Sequence, residues 1–305
     1  MEPSDALKHF LNHNRTRIAR LRELSPITQQ AFFELLPLIF HTNSTALPGF
    51  ISNTVPAGIS DFQPKDADLD AAQKFNNSFA FKRQALRHYP ILGLYLINDN
   101  GGINYPEKAE FDFWLVHSDQ VVAEELQQLE QKVSAVQSWA ESLGLSLNVR
   151  LLTIAALEQQ AVDAYDLDRF YLNGLVLAGS IPLWWGISPE QEVHYQQTVQ
   201  QLKEQRRLSH NTFIDFGELS PTLDSQTLFH QSYQQLNTAM ERGLESSLDL
   251  LYQQYVLTSY PNIGWLSQSY KQAVYQGQRD PLQLDCQILK LLAITETSTL
   301  SAERV

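Results

Sequence analysis

Two acidic residues, spaced one apart at the start of an apolar run, are the side chains best placed for metal chemistry. Glu110 and Asp112 flank Phe111, and they follow a glycine-containing loop, 98–109, that comes after a first apolar run, 91–97. Side chains alternate along a strand, so both carboxylates would face the same side. Carboxylate oxygens are ligands that Mg²⁺ prefers. A strand, a glycine-containing loop and two acids at this spacing are typical of metal-dependent nucleotidyl-transfer sites, and a solvated acidic pair on an edge strand is the alternative that the residues alone favour.

The elements that would position this pair form a small group of strands. Apolar and alternating patterns predict strands over 91–97, 111–117 and 145–154. Between the last two, 119–143 has one apolar face and is predicted as a helix that stops at Gly144. Clustered strands followed by a helical half predict an α+β fold. We expect an α+β domain with N-terminal helices over residues 1–160 and a mainly helical subdomain packed on it over residues 161–305.

The remaining pattern is mostly helical. The other helices are predicted over 3–23, 25–41, 66–87, 157–163, 168–179, 189–208, 225–255 (broken once), 262–276 and 280–295. Pro37 is expected to kink or end the second of these helices. The stretch 45–64, rich in Pro, Gly, Asn and Ser, is predicted to be an ordered loop. Residues 181–188 are expected to form a strand or a buried loop.

Composition limits the kinds of partner. The chain has 305 residues with 43% hydrophobic and 18% charged, and no apolar run approaches the roughly 18 residues of a membrane span. A net charge of −12 argues against nucleic-acid binding. The single cysteine, Cys286, fits a reducing cytoplasm. The basic segment 8–22 is interpreted as a solvated helix face or a docking surface for an acidic partner. Met1 and a polar tail favour a complete chain.

Other residue types give little support to alternative chemistries. The eight histidines show no metal-ligand spacing, and the sequence has no Walker loop, Gly-x-Ser-x-Gly motif or zinc ribbon. Trp114, Trp184 and Trp185 are expected in the core, because large aromatic side chains are mostly buried.

An ordered series of short stretches covers almost the whole chain and resembles one family. These stretches are LLPLIFHTNSTALPGF, NTVPAGI, ILGLYLINDN, FDFWLVH, SWAESLGLSL, LAGSIPLWW, FIDFGELS, SYPNIGWLSQSYKQAV and RDPLQLD. They resemble the N-terminal catalytic part of the class I adenylate cyclases of gamma-proteobacteria. The resemblance implies a nucleotidyltransferase fold of the polymerase-β type, a small mixed sheet with flanking helices, followed by a helical subdomain. Family cyclases continue far beyond this length into a C-terminal regulatory region.

The resemblance also implies a set of catalytic groups. Family members make cyclic AMP from ATP with two-metal chemistry. A Gly-Ser pair after the first strand holds phosphate oxygens, an Asp-x-Asp on the second strand binds the metals, and an acid on the third strand completes the site. Lysine and arginine residues grip the triphosphate and offset charge on the leaving pyrophosphate.

This chain departs from that pattern at many positions. The Gly-Ser pair falls at Asn98 and Asp99, the Asp-x-Asp becomes Glu110 to Asp112, and the third-strand acid falls at Thr153. The family's basic residues fall at Ala57, Leu86 (with Arg87 adjacent as a stand-in), Leu172, Val176, Ser180 and Ile181. Trp114 and Asp280 match family residues, although Asp280 before Pro281 also fits a helix cap. An acid at Asp99 would repel ATP, and a longer Glu110 would displace a metal.

The resemblance with these departures supports a catalytically degenerate cyclase-like protein that binds or regulates a partner in cyclic AMP signalling, without a cofactor. The implied partner is a full-length class I adenylate cyclase or a second copy of the chain. In this interpretation Glu110, Asp112 and Asp280 are remnants of catalysis. Asn98, Asp99, Trp114 and Arg87 are remnants of nucleotide binding. One alternative is an active nucleotidyltransferase using Mg²⁺ or Mn²⁺ at Glu110 and Asp112, with Asp99 or Asp280; another is a nucleotide-binding sensor.

Overall fold

The computed structural model describes residues 5–83, 88–97, 110–158, 162, 164–204, 212–219 and 265–276. Its longer helices are α1 (Asp5–Leu24), α2 (Ile27–His41), α3 (Asp66–Phe75), α4 (Ala123–Ser142), α6 (Ala164–Asn173), α8 (Tyr195–Glu204) and α9 (Leu266–Tyr275). The shorter helices are α5 (Ile154–Glu158), α7 (Pro189–Glu192) and a 3₁₀ turn (Leu183–Gly186). The strands are β1 (Ile91–Leu96), β2 (Glu110–His117), β3 (Ser146–Thr153), β4 (Leu175–Gly179), β5 (Ile181–Pro182) and β6 (Phe213–Ile214). None of the described helices is long and apolar enough to cross a membrane.

A small mixed sheet organises the molecule. Its strand order is β3-β2-β1-β4, with β1 antiparallel to both neighbours and β2 parallel to β3. The parallel pair is joined through α4, as parallel strands need a long crossover. A mixed sheet with flanking helices confirms the predicted α+β class and is consistent with a nucleotidyltransferase-like fold.

Each face of the sheet is covered by its own apolar core. Along β2, Phe111, Phe113 and Leu115 enter the core formed with α2 and α4. The alternating residues Trp114 and Val116 enter the other core, with α1, α6, α8 and α9. Successive side chains point to opposite faces, so β2 is apolar in both directions over this stretch.

One predicted helix is wrong in its second half. The pattern predicts a helix over 168–179, but α6 ends at Asn173 and β4 follows. Gly174 permits this sharp change, because a Cβ there would lie 2.5 Å from the Phe170 carbonyl oxygen. The apolar run that follows pairs with β1, and Gly179 closes it with φ of +95°. A short apolar run has no helical or strand signature of its own, so tertiary pairing decides it.

Other differences concern where elements stop. The helix predicted over 66–87 ends at Phe75, because Asn76 Oδ1 accepts hydrogen bonds from the Ser78 N–H and hydroxyl and turns the chain. Pro37 lies inside α2 without ending it. The helix predicted over 189–208 divides into α7 and α8, and the one over 157–163 begins earlier as α5. The predictions for 225–255, 280–295 and Cys286 fall outside the described residues.

A buried asparagine attaches α1 to the sheet. Asn14 is 6% exposed. Its Nδ2 donates to the Val176 carbonyl oxygen at 2.9 Å, and its Oδ1 accepts from the Val176 N–H at 2.9 Å. One amide side chain thereby satisfies both outward-facing backbone groups of an edge-strand residue.

The last described helix is held by two polar contacts. The Asp168 side chain, fully buried on α6, accepts hydrogen bonds from the Ser267 N–H at 3.0 Å and hydroxyl at 2.6 Å. The Lys271 ammonium lies 3.1 Å from Glu192 Oε2 and 3.9 Å from the centre of the Trp184 ring. Burial lowers the pKa of Lys271 to about 8, and the nearby Glu192 carboxylate opposes that shift. These contacts fix α9 on the core formed with α6.

A second buried lysine has much weaker compensation. Lys132, on α4, is 1% exposed, and its ammonium has a single hydrogen-bond partner among the described residues, Asn43 Oδ1 at 3.5 Å. Its aliphatic stem packs beneath Gly49, where the preceding loop crosses α4 so closely that a Cβ would lie 2.6 Å from Val136. Burial lowers the pKa of Lys132 to about 8. The buried charge therefore reduces the stability of the fold at neutral pH.

Removing the Asn14 side chain should weaken the attachment of α1. We expect Asn14→Ala to lower the free energy of unfolding by about 2 kcal/mol, because two partly buried backbone groups of Val176 lose their partners. Asn12→Ala, at an exposed position on the same helix, is the matched control and should change it by less than about 0.5 kcal/mol. Urea denaturation measures both, and equal effects would contradict the assigned role of Asn14.

Replacing the buried ammonium should stabilise the protein. We expect Lys132→Met to raise the free energy of unfolding at pH 7 by about 2–3 kcal/mol, with Gln131→Met on the exposed face as control. The pKa of Lys132 is lower in the folded chain than its ordinary value of 10.5, so the unfolded chain binds this proton more tightly. The penalty is full below pH 8 and fades as pH rises to 10.5. Denaturation across this range should show the two proteins converging; a constant difference would contradict the prediction.

Candidate active site

The parallel register of β2 and β3 defines what lies beside the acidic pair. Glu110 pairs with Ser146, and Asp112 pairs with Asn148. The Asn148 Nδ2 donates a hydrogen bond to Asp112 Oδ1 at 3.0 Å. On the other side, the Ile97 N–H donates to the Asp112 carbonyl oxygen at 2.9 Å. Asp112 thus lies on an interior strand of the sheet, at the end of the sheet where β1 finishes. Its side chain is partly exposed.

Several sequence-predicted site residues cannot be placed. Asn98, Asp99, Arg87 and Asp280 lie outside the described residues, and for Glu110 only the backbone is described. Their assignment as catalytic or nucleotide-binding remnants stays a prediction.

Thr153, the predicted third-strand acid position, does not lie beside the acidic pair. It pairs with His117 at the far end of the parallel ladder. Five residues separate it from Asn148, which corresponds to about 16 Å along a strand. The third-strand positions beside the pair are Ser146 and Asn148, both exposed and uncharged.

Three of the positions where the family resemblance places basic residues also lie at the opposite end of the sheet. Ala57 precedes Ile59, which bridges to Ile91 at the start of β1. Ser180 and Ile181 follow β4 there, and the Ser180 N–H donates to the Leu92 carbonyl oxygen at 2.9 Å. A lysine side chain reaches about 6 Å, less than the length of β1 at about 3.3 Å per residue. A basic side chain at any of these three positions would therefore not reach the acidic pair.

Leu172 and Val176 lie nearer to the pair. β4 begins with Leu175 opposite Leu96, so the last turn of α6, with Leu172, is at the same end of the sheet as Asp112. Val176 pairs with Tyr95, one row further in. Both are partly buried apolar side chains packed against the core. They supply packing at the positions where the resemblance implies a cation.

Trp114 and the other two tryptophans are core residues, as the sequence predicts. Trp114 is 4% exposed, and its ring lies 4.8 Å from that of Phe170 and 5.8 Å from that of Phe216 between centroids. Trp184 is fully buried and stacks on Tyr171 at 4.3 Å. Trp185 stacks on Phe10 at 4.8 Å.

The basic segment of α1 does not form a single exposed surface. Lys8 and Arg15 are exposed, Arg20 and Arg22 are partly buried, and Arg17 is 7% exposed. These basic side chains therefore form neither a fully solvated helix face nor a continuous basic docking surface.

The described residues around Asp112 do not form a cluster of metal ligands. Within the part of the chain that the structure describes, no three His, Cys, Asp or Glu side chains are grouped closely enough to hold a metal ion. At the contact between β2 and β3, the Asn148 amide donates an N–H to Asp112, so β3 contributes an uncharged side chain and no carboxylate there. The arrangement can orient a carboxylate and can donate to a polar ligand.

Ser146 and Asn148 carry no sequence signal as site residues. The segment is an ordinary alternating strand, and only its register against β2 brings these positions to the acidic pair.

Comparison with known proteins identifies the family. The family model described as Adenylate cyclase NT domain matches residues 4–185. The chain therefore belongs to the adenylate cyclase family, through its N-terminal domain, and the predicted resemblance is confirmed.

The full-length relatives are bacterial proteins. The chain is 27% identical over 297 residues to the adenylate cyclase of Yersinia pestis, covering 92% of this chain and 35% of the relative. It is 27% identical over 301 residues to the adenylate cyclase of Escherichia coli strain K12, covering 94% of this chain and 35% of the relative. The chain thus spans about a third of the length of these relatives. No solved structure matches it.

Introducing a third carboxylate beside the acidic pair should create a metal site. We expect the double variant Glu110→Asp with Asn148→Asp to bind Mn²⁺ at least about tenfold more tightly than the wild type, because three carboxylates then meet in register. Electron paramagnetic resonance of free Mn²⁺ measures this. Glu110→Asp with Asn77→Asp, the second change at an exposed loop position, carries the same added charge as a control. Equal affinity in the two double variants would show that the register does not define a site.

Proposed function

We propose that this chain is a catalytically degenerate member of the adenylate cyclase family that acts as a binding or regulatory protein in cyclic AMP signalling. The observation that carries the proposal is the hydrogen bond from Asn148 Nδ2 to Asp112 Oδ1. It pairs Asp112 with an uncharged amide, whereas carboxylates are the side chains that usually hold two divalent ions. Two-metal nucleotidyl transfer depends on exact placement of such ligands.

The surroundings of the acidic pair support the same proposal. Ser146 and Asn148 supply no charge on β3, and Leu172 and Val176 supply none where a triphosphate would need cations. In the sequence, the phosphate-holding Gly-Ser pair is replaced by Asn98 and Asp99. The apolar framework around these positions is intact, with both faces of the sheet covered. A domain that keeps this fold without the charged groups of catalysis is better suited to binding than to catalysis.

The proposed partner is a full-length adenylate cyclase or a second copy of this chain, in the cytoplasm. The chain matches about a third of such a cyclase. A homologue of the N-terminal part of the cyclase would compete for the contacts that this part makes within the cyclase. This would change the activity of the cyclase without any chemistry at Asp112.

An activity assay tests the loss of catalysis. With ATP and either Mg²⁺ or Mn²⁺, we expect cyclic AMP formation at least about 10³-fold below that of a full-length family cyclase assayed in parallel, because metal activation is lost. The control is Asp112→Ala: any residual product should be unchanged by it. Product that disappears in Asp112→Ala would overturn the proposal.

A binding assay tests the regulatory role. Tagged wild-type chain should retain the full-length cyclase from the same cell, or a second, differently tagged copy of itself, in a pull-down with purified proteins. If the chain retains the cyclase, deletion of the gene for this chain should also change the cellular concentration of cyclic AMP. No association with either protein, together with unchanged cyclic AMP, would count against a regulatory role.

An active nucleotidyltransferase is the second candidate. It is favoured by the partly exposed carboxylate of Asp112, which lies next to a second acidic residue in the chain, and by relatives that are named adenylate cyclases. The activity assay separates the two candidates directly. A nucleotide sensor without chemistry would show saturable nucleotide binding in calorimetry and no product.

A further inference from the structure

A small cavity lies at the end of α2, far from the acidic pair. Its volume is about 200 Å³, and it is formed by the C-terminal end of α2 with the following residues and by the segment after α3. The lining residues are His41, Thr42, Asn43, Ser44, Phe79, Ala80, Phe81 and Lys82. No acidic residue is among them, although the chain as a whole carries a net charge of −12.

Three of the lining side chains have a hydrogen to donate. The Ile59 N–H donates to His41 Nδ1 at 3.1 Å, so the neutral ring carries its proton on Nε2. Burial lowers the pKa of His41, which favours this neutral form. Ser44 Oγ accepts from the Ala46 N–H at 3.2 Å and keeps its own hydrogen for another acceptor. Lys82 is exposed and makes no ion pair with the described residues.

The imidazole is held rigidly in place. Its ring stacks on Phe81, with centroids 6.2 Å apart and planes 29° apart, and meets the edge of Phe62 at 5.1 Å. Together with the Ile59 N–H, these contacts fix the orientation of His41. A fixed donor loses little entropy when it binds a ligand.

A second positive charge lies behind the cavity wall. The buried Lys132 ammonium is 3.5 Å from Oδ1 of Asn43, a lining residue, and has no carboxylate partner among the described residues. The opposing negative end of α2 is largely satisfied. The Leu38 carbonyl accepts from the Thr42 N–H and hydroxyl, and the Phe40 carbonyl accepts from the Gly58 N–H. The two ammonium groups therefore contribute positive potential at the cavity.

We propose that this cavity is a binding site for a small oxyanion, either a phosphate group or a carboxylate. Lys82, His41 Nε2 and the Ser44 hydroxyl supply the donors, and Lys132 supplies long-range attraction. The volume suits a small ligand, because sites for drug-sized molecules occupy about 300–1,000 Å³. The phenyl rings of Phe79 and Phe81 provide an apolar wall for a short carbon chain.

The proposed site is separate from the acidic pair. His41 is joined to β1 through Ile59, which bridges to Ile91, whereas Asp112 pairs next to Ile97. These points are six residues apart on one extended segment, about 20 Å. Oxyanion binding at this cavity therefore does not depend on whether the acidic pair has catalytic activity.

Calorimetric titration at pH 7 and constant ionic strength tests this site. The probes are inorganic phosphate, glycerol phosphate and acetate, each added to the whole chain in a buffer free of other oxyanions. We expect saturable binding of at least one probe, weakened about tenfold or more in Lys82→Met, because a charge-assisted hydrogen bond is lost. Lys74→Met, an exposed lysine on α3, is the matched control and should bind as the wild type does.

The three probes distinguish the sources of the oxyanion. Binding of phosphate and glycerol phosphate without acetate assigns a phosphate site, and binding of acetate alone assigns a carboxylate site. As a second readout, the ring resonances of His41 should shift on saturation in the wild type, independently of any variant. Absence of saturable binding up to about 10 mM for all probes, or equal affinity in Lys82→Met and Lys74→Met, would overturn the proposal.

Discussion

The parallel pairing of β2 with β3 is the constraint on which the rest of the structure depends. It requires the chain to return over one face of the sheet, and α4 provides that return. The helix must end within one turn of the new strand, and Gly144 allows this with φ of +76°. The same register sets Asn148 beside Asp112, so the architecture and the chemistry of the site are fixed by one set of strand hydrogen bonds.

Burial on both sides of β2 explains why the framework persists independently of any reaction. Phe111 and Phe113 are enclosed by one core, and Trp114 is enclosed by the other. A change at these positions would disturb packing at close to crystalline density. By contrast, Ser146 and Asn148 are exposed on the outer strand, where substitution has little effect on stability. Selection for folding alone would therefore keep the aromatic residues of β2. It would place little constraint on the β3 residues that lie beside the acidic pair.

Much of the fold follows from local patterns, and the site follows from them only in part. The amphipathic stripe of α4, its stop at Gly144 and the alternation of β3 are properties of neighbouring residues, and each was predictable. The strand β4 was not, because Leu175 to Ala178 are apolar without a period and only pairing with β1 makes them a strand. The places of Thr153 and Ala57 in the sheet were not predictable, for a related reason. The spacing of residues in a sequence motif does not show which end of a strand lies at the site, because strand register is set by tertiary pairing.

The amide of Asn14 has a consequence for how the sheet could be extended. By taking both outward-facing backbone groups of Val176, it occupies the place of a neighbouring strand and closes the β4 edge to β-augmentation. At the other edge, Gln137 Nε2 from α4 donates to the Leu147 carbonyl oxygen at 3.1 Å, while Ser146, Asn148 and Arg150 remain exposed. Among the described residues, the β3 edge is therefore the more open of the two to an incoming peptide. A peptide added there would extend the surface that carries Asp112.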